Sequence, residues 1–199
     1  MQVIGLTGFA GSGKSTVAEY LVKEHGFTRL SFAAPLKKML RTLNPILSFE
    51  DSGDTQVDHV RVGDLFSPEL GWTEAQIKED PKLGPEYRRL LQVLGTDCIR
   101  AVDPEFWVNA ALKQMVHESG RYVFDDVRFP NEAAAIAFHN WNGLWNVQRP
   151  GYAAVNGHAS EQHAGKMGEP VWLHNGSDIE GLRDQIDNAL DLAFGEAAL

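Results

Sequence analysis

The sequence predicts an α/β fold, a mainly parallel five-stranded sheet flanked by helices. Three observations lead there. Short apolar runs alternate with helix-patterned stretches along the 199 residues. The first run is followed at once by the glycine-rich turn Gly8-Phe9-Ala10-Gly11-Ser12-Gly13-Lys14-Ser15 and then by a helical stretch. Charged residues (Asp125, Asp126, Arg149) stand directly after later runs, at the strand ends where parallel sheets bind their ligands.

Val3 to Thr7 reads as a buried strand, and Thr16 to Lys23 as the helix after the turn. Thr28 to Phe32 is a second strand. Pro35 opens a helix, Leu36 to Leu43, at the position that tolerates proline. Residues 43–85 are different. They hold nine acidic and three basic residues, a balance of −6, with Pro45, Pro68 and Pro81 among scattered apolar positions. This pattern predicts an acceptor-side insertion or flap within one domain spanning 1–199, not a second domain. Inside it, Thr73-Glu74-Ala75-Gln76 has the form of a capping box.

Glu86 to Val102 is a helix with Tyr87, Leu90, Leu91 and Leu94 as its buried stripe. Arg88, Gln92 and Thr96 form a polar stripe on another side. Asp103-Pro104-Glu105 restarts the chain as a helix running to about Glu118. Arg121 to Asp126 is a strand, Asn131 to Asn140 a helix, and Gly143 to Val147 a strand. The polar stretch over 149–168 suits a lid. Val171 to His174 is the last strand. A capping box at Ser177 then starts a helix carrying Ile179, Leu182, Ile186, Leu190 and Ala193.

The composition, 43% hydrophobic and 23% charged, is that of a globular protein. No run approaches the ~20 apolar residues of a membrane span, and no signal segment is visible. One cysteine, Cys98, reads as a small core residue and fits a reducing cytoplasm. The net charge of −9 argues against nucleic-acid binding but leaves a small anionic ligand open.

The turn at Gly8 matches Gly, four residues, then Gly-Lys-Ser, the P-loop pattern. Its glycines let the backbone N–H groups converge, and the following helix presents its positive end to the same point. Lys14 adds a charge for outer phosphates, and the Ser15 hydroxyl suits Mg²⁺. The loop is built for a polyphosphate. Asp125 and Asp126 point to opposite faces of their strand, so only one faces the site. Which one is open. His158, Glu161 and His163 lack a zinc-binding spacing.

Three further segments carry a resemblance. Arg88 to Thr96 followed by Asp103-Pro104-Glu105-Phe106-Trp107, Asp126-Val127-Arg128-Phe129-Pro130-Asn131-Glu132-Ala133, and His158-Ala159-Ser160-Glu161 after Arg149 resemble phage-type deoxynucleoside monophosphate kinases, in the order of that family. The resemblance implies the three-layer P-loop kinase fold. It implies transfer of the γ-phosphoryl group of ATP to a deoxynucleoside 5′-monophosphate, with Mg²⁺ as cofactor. It implies deoxynucleotide biosynthesis for phage DNA replication, in the host cytoplasm if phage-encoded.

By that resemblance, Gly8, Ala10, Gly11, Ser12, Gly13, Lys14, Ser15 and Thr16 hold ATP. Lys37, Arg88, Arg89, Gln92, Gly95, Thr96 and Trp107 line the acceptor pocket. Asp126, Arg128 and Glu132 sit where acceptor and donor meet, with Lys14 and the lid residue Arg149 completing the catalytic set. Ser15 and Asp126 would hold Mg²⁺, partly through water. The family segment matching Phe32 to Lys37 usually carries Asp where Ala34 stands, which weakens the carry-over to Lys37. The residues leave two other readings: a small-molecule kinase of coenzyme-precursor type, or a nucleotide switch. The acidic insertion leaves room for a homodimer.

Overall fold

The computed structural model describes residues 1–51, 57–152, 167–176 and 178–195. Most of the expected lid therefore lies outside the described residues, as do His158, Ala159, Ser160, Glu161, His163 and Ser177. The described strands are β1 (Gln2–Thr7), β2 (Thr28–Leu30), β3 (Ile46–Asp51), β4 (Val57–Arg61), β5 (Arg121–Phe124), β6 (Leu144–Gln148) and β7 (Val171–His174). The helices are α1 (Lys14–His25), α2 (Ala34–Leu43), α3 (Val62–Leu65), α4 (Glu74–Glu79), α5 (Gly84–Gln92), α6 (Phe106–Leu112), α7 (Pro130–His139) and α8 (Ile179–Phe194). None is long and apolar enough to cross a membrane. The chain divides into two compact units, Met1–Phe32 with Val108–Leu199, and Ala33–Trp107.

The first unit holds the five-stranded sheet, in the order β2-β5-β1-β6-β7, with every pairing parallel. Alternation along β1 sets its layers. Val3 points into a cluster with Phe32, Tyr122, Phe124, Ile136 and Leu144. Ile4 and Leu6 point into the opposite cluster, where Val17 and Leu21 of α1 meet Leu182 and Ile186 of α8. Each such side chain contributes roughly 1.5–3 kcal/mol by leaving water. Helices on both faces force a buried, parallel sheet, as the apolar runs imply. Because the strands are parallel, the segments after them gather along one edge of the sheet.

The second unit is built on α2 to α5. Leu40, Leu47, Val62, Leu65, Ile77, Leu83 and Tyr87 form its apolar cluster. The insertion supplies most of that cluster, closed by Leu40 and Tyr87 from the flanking helices. The capping box at α4 forms, with Thr73 Oγ1 accepting from Gln76 N–H and Gln76 Oε1 accepting from Thr73 N–H. The antiparallel β3–β4 hairpin has no counterpart in the sequence expectation. A bulge between Ile46 and Ser48 breaks the alternation that would have betrayed it.

Two helix expectations are corrected. The helix expected over Glu86 to Val102 is α-helical only to Gln92, and Val93–Arg100 is a π-helix. Wider turns take carbonyls out of the α ladder, and here the Gly95 carbonyl accepts the indole N–H of Trp107 at 2.8 Å. Cys98 is exposed on this segment rather than in the core. The helix expected to reach Glu118 stops at Leu112. There Gln114 and Met115 N–H turn to Ala111 and Leu112 carbonyls, the tighter 3₁₀ pattern that ends many helices.

Candidate functional site

β1 ends at Thr7, and the chain turns through Gly8, Gly11 and Gly13 with φ of 135°, 76° and 108°. Non-glycine residues rarely adopt these values. Gly13 is the N-cap of α1 and brings no capping side chain, so nothing of its own competes for the helix's first N–H groups. Lys14 folds back, its ammonium donating to the Gly8 and Phe9 carbonyls at 2.8 and 2.7 Å. Ala10, Ser15 and Thr16 are exposed.

Each of the three glycines has a specific neighbour. A Cβ on Gly8 would collide with the Val147 carbonyl, one on Gly11 with the Tyr152 ring, and one on Gly13 with the Asn175 amide. Asn175 Nδ2 also donates to the Ser12 carbonyl at 2.9 Å. The Arg149 guanidinium lies 5.0 Å from the Tyr152 ring centroid. Arg149 is therefore tied to the P-loop through Tyr152.

The two acids after β5 diverge, as strand alternation requires. Asp126 accepts from Ser31 Oγ at 2.6 Å and from Phe32 N–H at 2.9 Å, which commits it to the segment after β2. Asp125 pairs with Arg29, whose Nε lies 3.0 Å away and whose Nη2 also bonds the carboxylate. The same Nη2 reaches Ser15 Oγ at 3.4 Å. Arg29 thus links Asp125 to Ser15.

Ser15 and Asp125 offer oxygen donors of the kind Mg²⁺ takes, and the Arg29 guanidinium that holds both is the cation Mg²⁺ would displace. Mg²⁺ keeps waters and takes substrate phosphates, so one hydroxyl and one carboxylate suffice.

Glu132 is buried, and its Oε2 accepts from Arg128 and Phe129 N–H at 2.8 and 3.1 Å. The carboxylate caps α7 and fixes the turn that presents the exposed Arg128 side chain.

In the second unit, Lys37 Nζ lies 3.1 Å from Glu74, which also pairs with Lys78. Burial works to raise the Glu74 pKa, but the hydrogen bond and charge of Lys78 and the charge of Lys37 outweigh it and hold the carboxyl low. The neighbouring Tyr87 is pushed up to about 12, chiefly by burial. Arg88 donates to the Lys78 carbonyl at 2.5 Å. Arg89 forms a two-pronged pair with Glu86, both contacts 2.7 Å. Gln92 is exposed, Thr96 half-buried and Gly95 buried. Trp107 is only 2% exposed and packs edge-on to Phe106, so its ring faces are inside.

The structure thus gathers the P-loop residues, Asp126, Arg128, Glu132 and Arg149 on the first unit's sheet edge. Lys37, Arg88, Arg89, Gln92, Gly95, Thr96 and Trp107 belong to the second unit. Sequence reasoning missed Arg29, Tyr152 and Asn175. A cavity of about 570 Å³ along α7, lined by Ala133, Ala137, Phe138, Trp141 and Met167, carries Glu169 as its charge. That lining offers no group for a phosphate.

No family model matches the chain. A relative from Acanthamoeba polyphaga mimivirus, described as a "putative deoxynucleotide monophosphate kinase", is 31% identical over 209 residues, covering 97% of this chain and 98% of its own. The crystal structure of TT1252 from Thermus thermophilus is similar over 96% of this chain and 97% of its own, with 18% identity and a TM-score of 0.46.

Proposed function

Because the chain belongs to the deoxynucleotide monophosphate kinase family, we propose that it transfers the γ-phosphoryl group of ATP to a deoxynucleoside 5′-monophosphate. The observation that carries this is the preformed phosphate loop beside Ser15, Arg29 and Asp125.

The converging N–H groups of the loop hold the donor's phosphates, and Lys14 exchanges the Gly8 and Phe9 carbonyls for their charge. Ser15 and Asp125 are the residues that would hold Mg²⁺, which when bound neutralises charge on the outer phosphates. An oxygen of the acceptor's phosphate attacks the γ-phosphorus as the bond to ADP breaks. That oxygen is already ionised at neutral pH, so no general base is required. Positive charge is required, and Lys14 and Arg128 supply it. Arg149, held beside the loop by Tyr152, adds a further positive charge there. Acceptor recognition falls to Lys37, Arg88, Arg89, Gln92 and Thr96, with Gln92 able both to donate to and accept from a base edge.

A coupled assay of ADP release against a panel of deoxy- and ribonucleoside monophosphates tests this. ADP release is expected to rise with at least one deoxynucleotide. A rate that no nucleotide acceptor raises overturns the proposal, and a rise with a coenzyme precursor alone would replace it.

A further inference from the structure

The peptide joining Ser12 to Gly13 is a planar trans unit, so its carbonyl and its N–H point in opposite directions. Holding one aims the other. Asn175 holds the carbonyl, donating from Nδ2 to Ser12 O at 2.9 Å, and its amide stands where a Gly13 side chain would be.

Asn175 is itself fixed by the sheet. It stands one residue past β7, and its N–H donates to the Gln148 carbonyl at 2.8 Å, prolonging the β6–β7 ladder. The residue before it is clamped as well. Gln185 of α8 accepts from the His174 N–H at 2.8 Å and donates to the His174 carbonyl at 3.1 Å. The restraint on the Ser12–Gly13 peptide is thus anchored to the rigid frame, not to a loose loop.

We propose that Asn175 is a positioning residue for the donor nucleotide, acting through the Ser12–Gly13 peptide. It turns the Ser12 carbonyl away from the phosphates and so aims the Gly13 N–H at them. A Ser12 carbonyl left to rotate inward would set a partial negative charge against the phosphates and remove one donor from the cradle. This rests on the kinase reading above, in which the loop holds ATP. It adds that the shape of the loop is imposed from the end of β7.

Two variants separate positioning from mere support. Asn175→Ala removes the amide. Asn175→Asp keeps its size but replaces the donor by an acceptor facing a carbonyl. Each is titrated calorimetrically with ADP and with tripolyphosphate, which has no base, and assayed for the KM of the deoxynucleoside monophosphate. Thermal melting verifies the fold. Loss of one hydrogen bond to the loop is expected to weaken ADP and tripolyphosphate about tenfold in Asn175→Ala. Asn175→Asp weakens both further, and the acceptor KM is unchanged in both variants. Unchanged affinity for both ligands in both variants overturns the proposal, as does an acceptor KM that rises in step with the loss. Wild-type protein that binds neither ADP nor tripolyphosphate would overturn the kinase reading and this inference with it. Normal wild-type binding with indifferent variants overturns this inference alone.

Discussion

Arg29 and Asp125 form an ion pair across the ends of β2 and β5, and the same guanidinium reaches the Ser15 hydroxyl at 3.4 Å. The pair carries the second acidic station of the sheet edge to the P-loop. It also separates the duties of two adjacent aspartates. Asp125→Asn is expected to lower kcat at least about a hundredfold with little loss of stability, since it removes charge where the donor phosphates are handled. Asp126→Ala is expected to destabilise the fold by about 1–3 kcal/mol, because Ser31 and Phe32 lose their acceptor. Steady-state kinetics and urea denaturation of both variants check this, and the reverse pattern would return the metal role to Asp126.

Lys14 is bonded to carbonyls of its own loop, which keeps its charge in the cradle. Lys14→Met should leave the acceptor KM near wild type and reduce kcat by about a hundredfold or more, as expected for a charge used on the phosphate in flight. A variant with unchanged kcat would remove Lys14 from the mechanism.

Trp107 is buried and donates its indole N–H to the Gly95 carbonyl. Trp107→Phe is expected to cost about 1–3 kcal/mol of stability through the orphaned carbonyl. The acceptor KM should hold. A raised KM without lost stability would instead place a nucleobase against the ring.

Glu74 gives the acid side of the stability profile its sign. Its carboxyl is held below the usual 4.5 in the folded chain. The stabilisation is therefore fully present above the unfolded value and lost as pH falls through the lower folded value. Denaturation from pH 7 to pH 3 should show Glu74→Gln less stable than wild type at neutral pH, with the gap closing at the acid end. A gap independent of pH would mean that the carboxylate contributes by shape alone.

The sheet and the phosphate loop were legible because both are written locally. A strand is a short apolar run, and Gly8 to Ser15 form one contiguous pattern. The π-helix was not, because Val93 to Arg100 keep a helical polarity pattern and the Trp107 indole that bonds the Gly95 carbonyl lies beyond a turn and a second helix start. Nor were Arg29 and Asn175. Arg29 meets Asp125 across 96 positions, and Asn175 meets Ser12 across 163. Such pairs are set by strand order, which periodicity does not reveal. Glu132 was visible as a first-turn acid, yet its burial under two backbone N–H groups depends on how Arg128 and Phe129 turn.

The props behind the three glycines have a consequence for synthesis. Gly8, Gly11 and Gly13 are made more than 130 residues before Val147, Tyr152 and Asn175. The nucleotide cradle therefore lacks its backing until β7 has left the ribosome, and every nascent chain carries an unfinished phosphate loop until then. Contacts of such long separation are slow to close, so nucleotide affinity should be among the last properties to appear during refolding, after α1 has already formed.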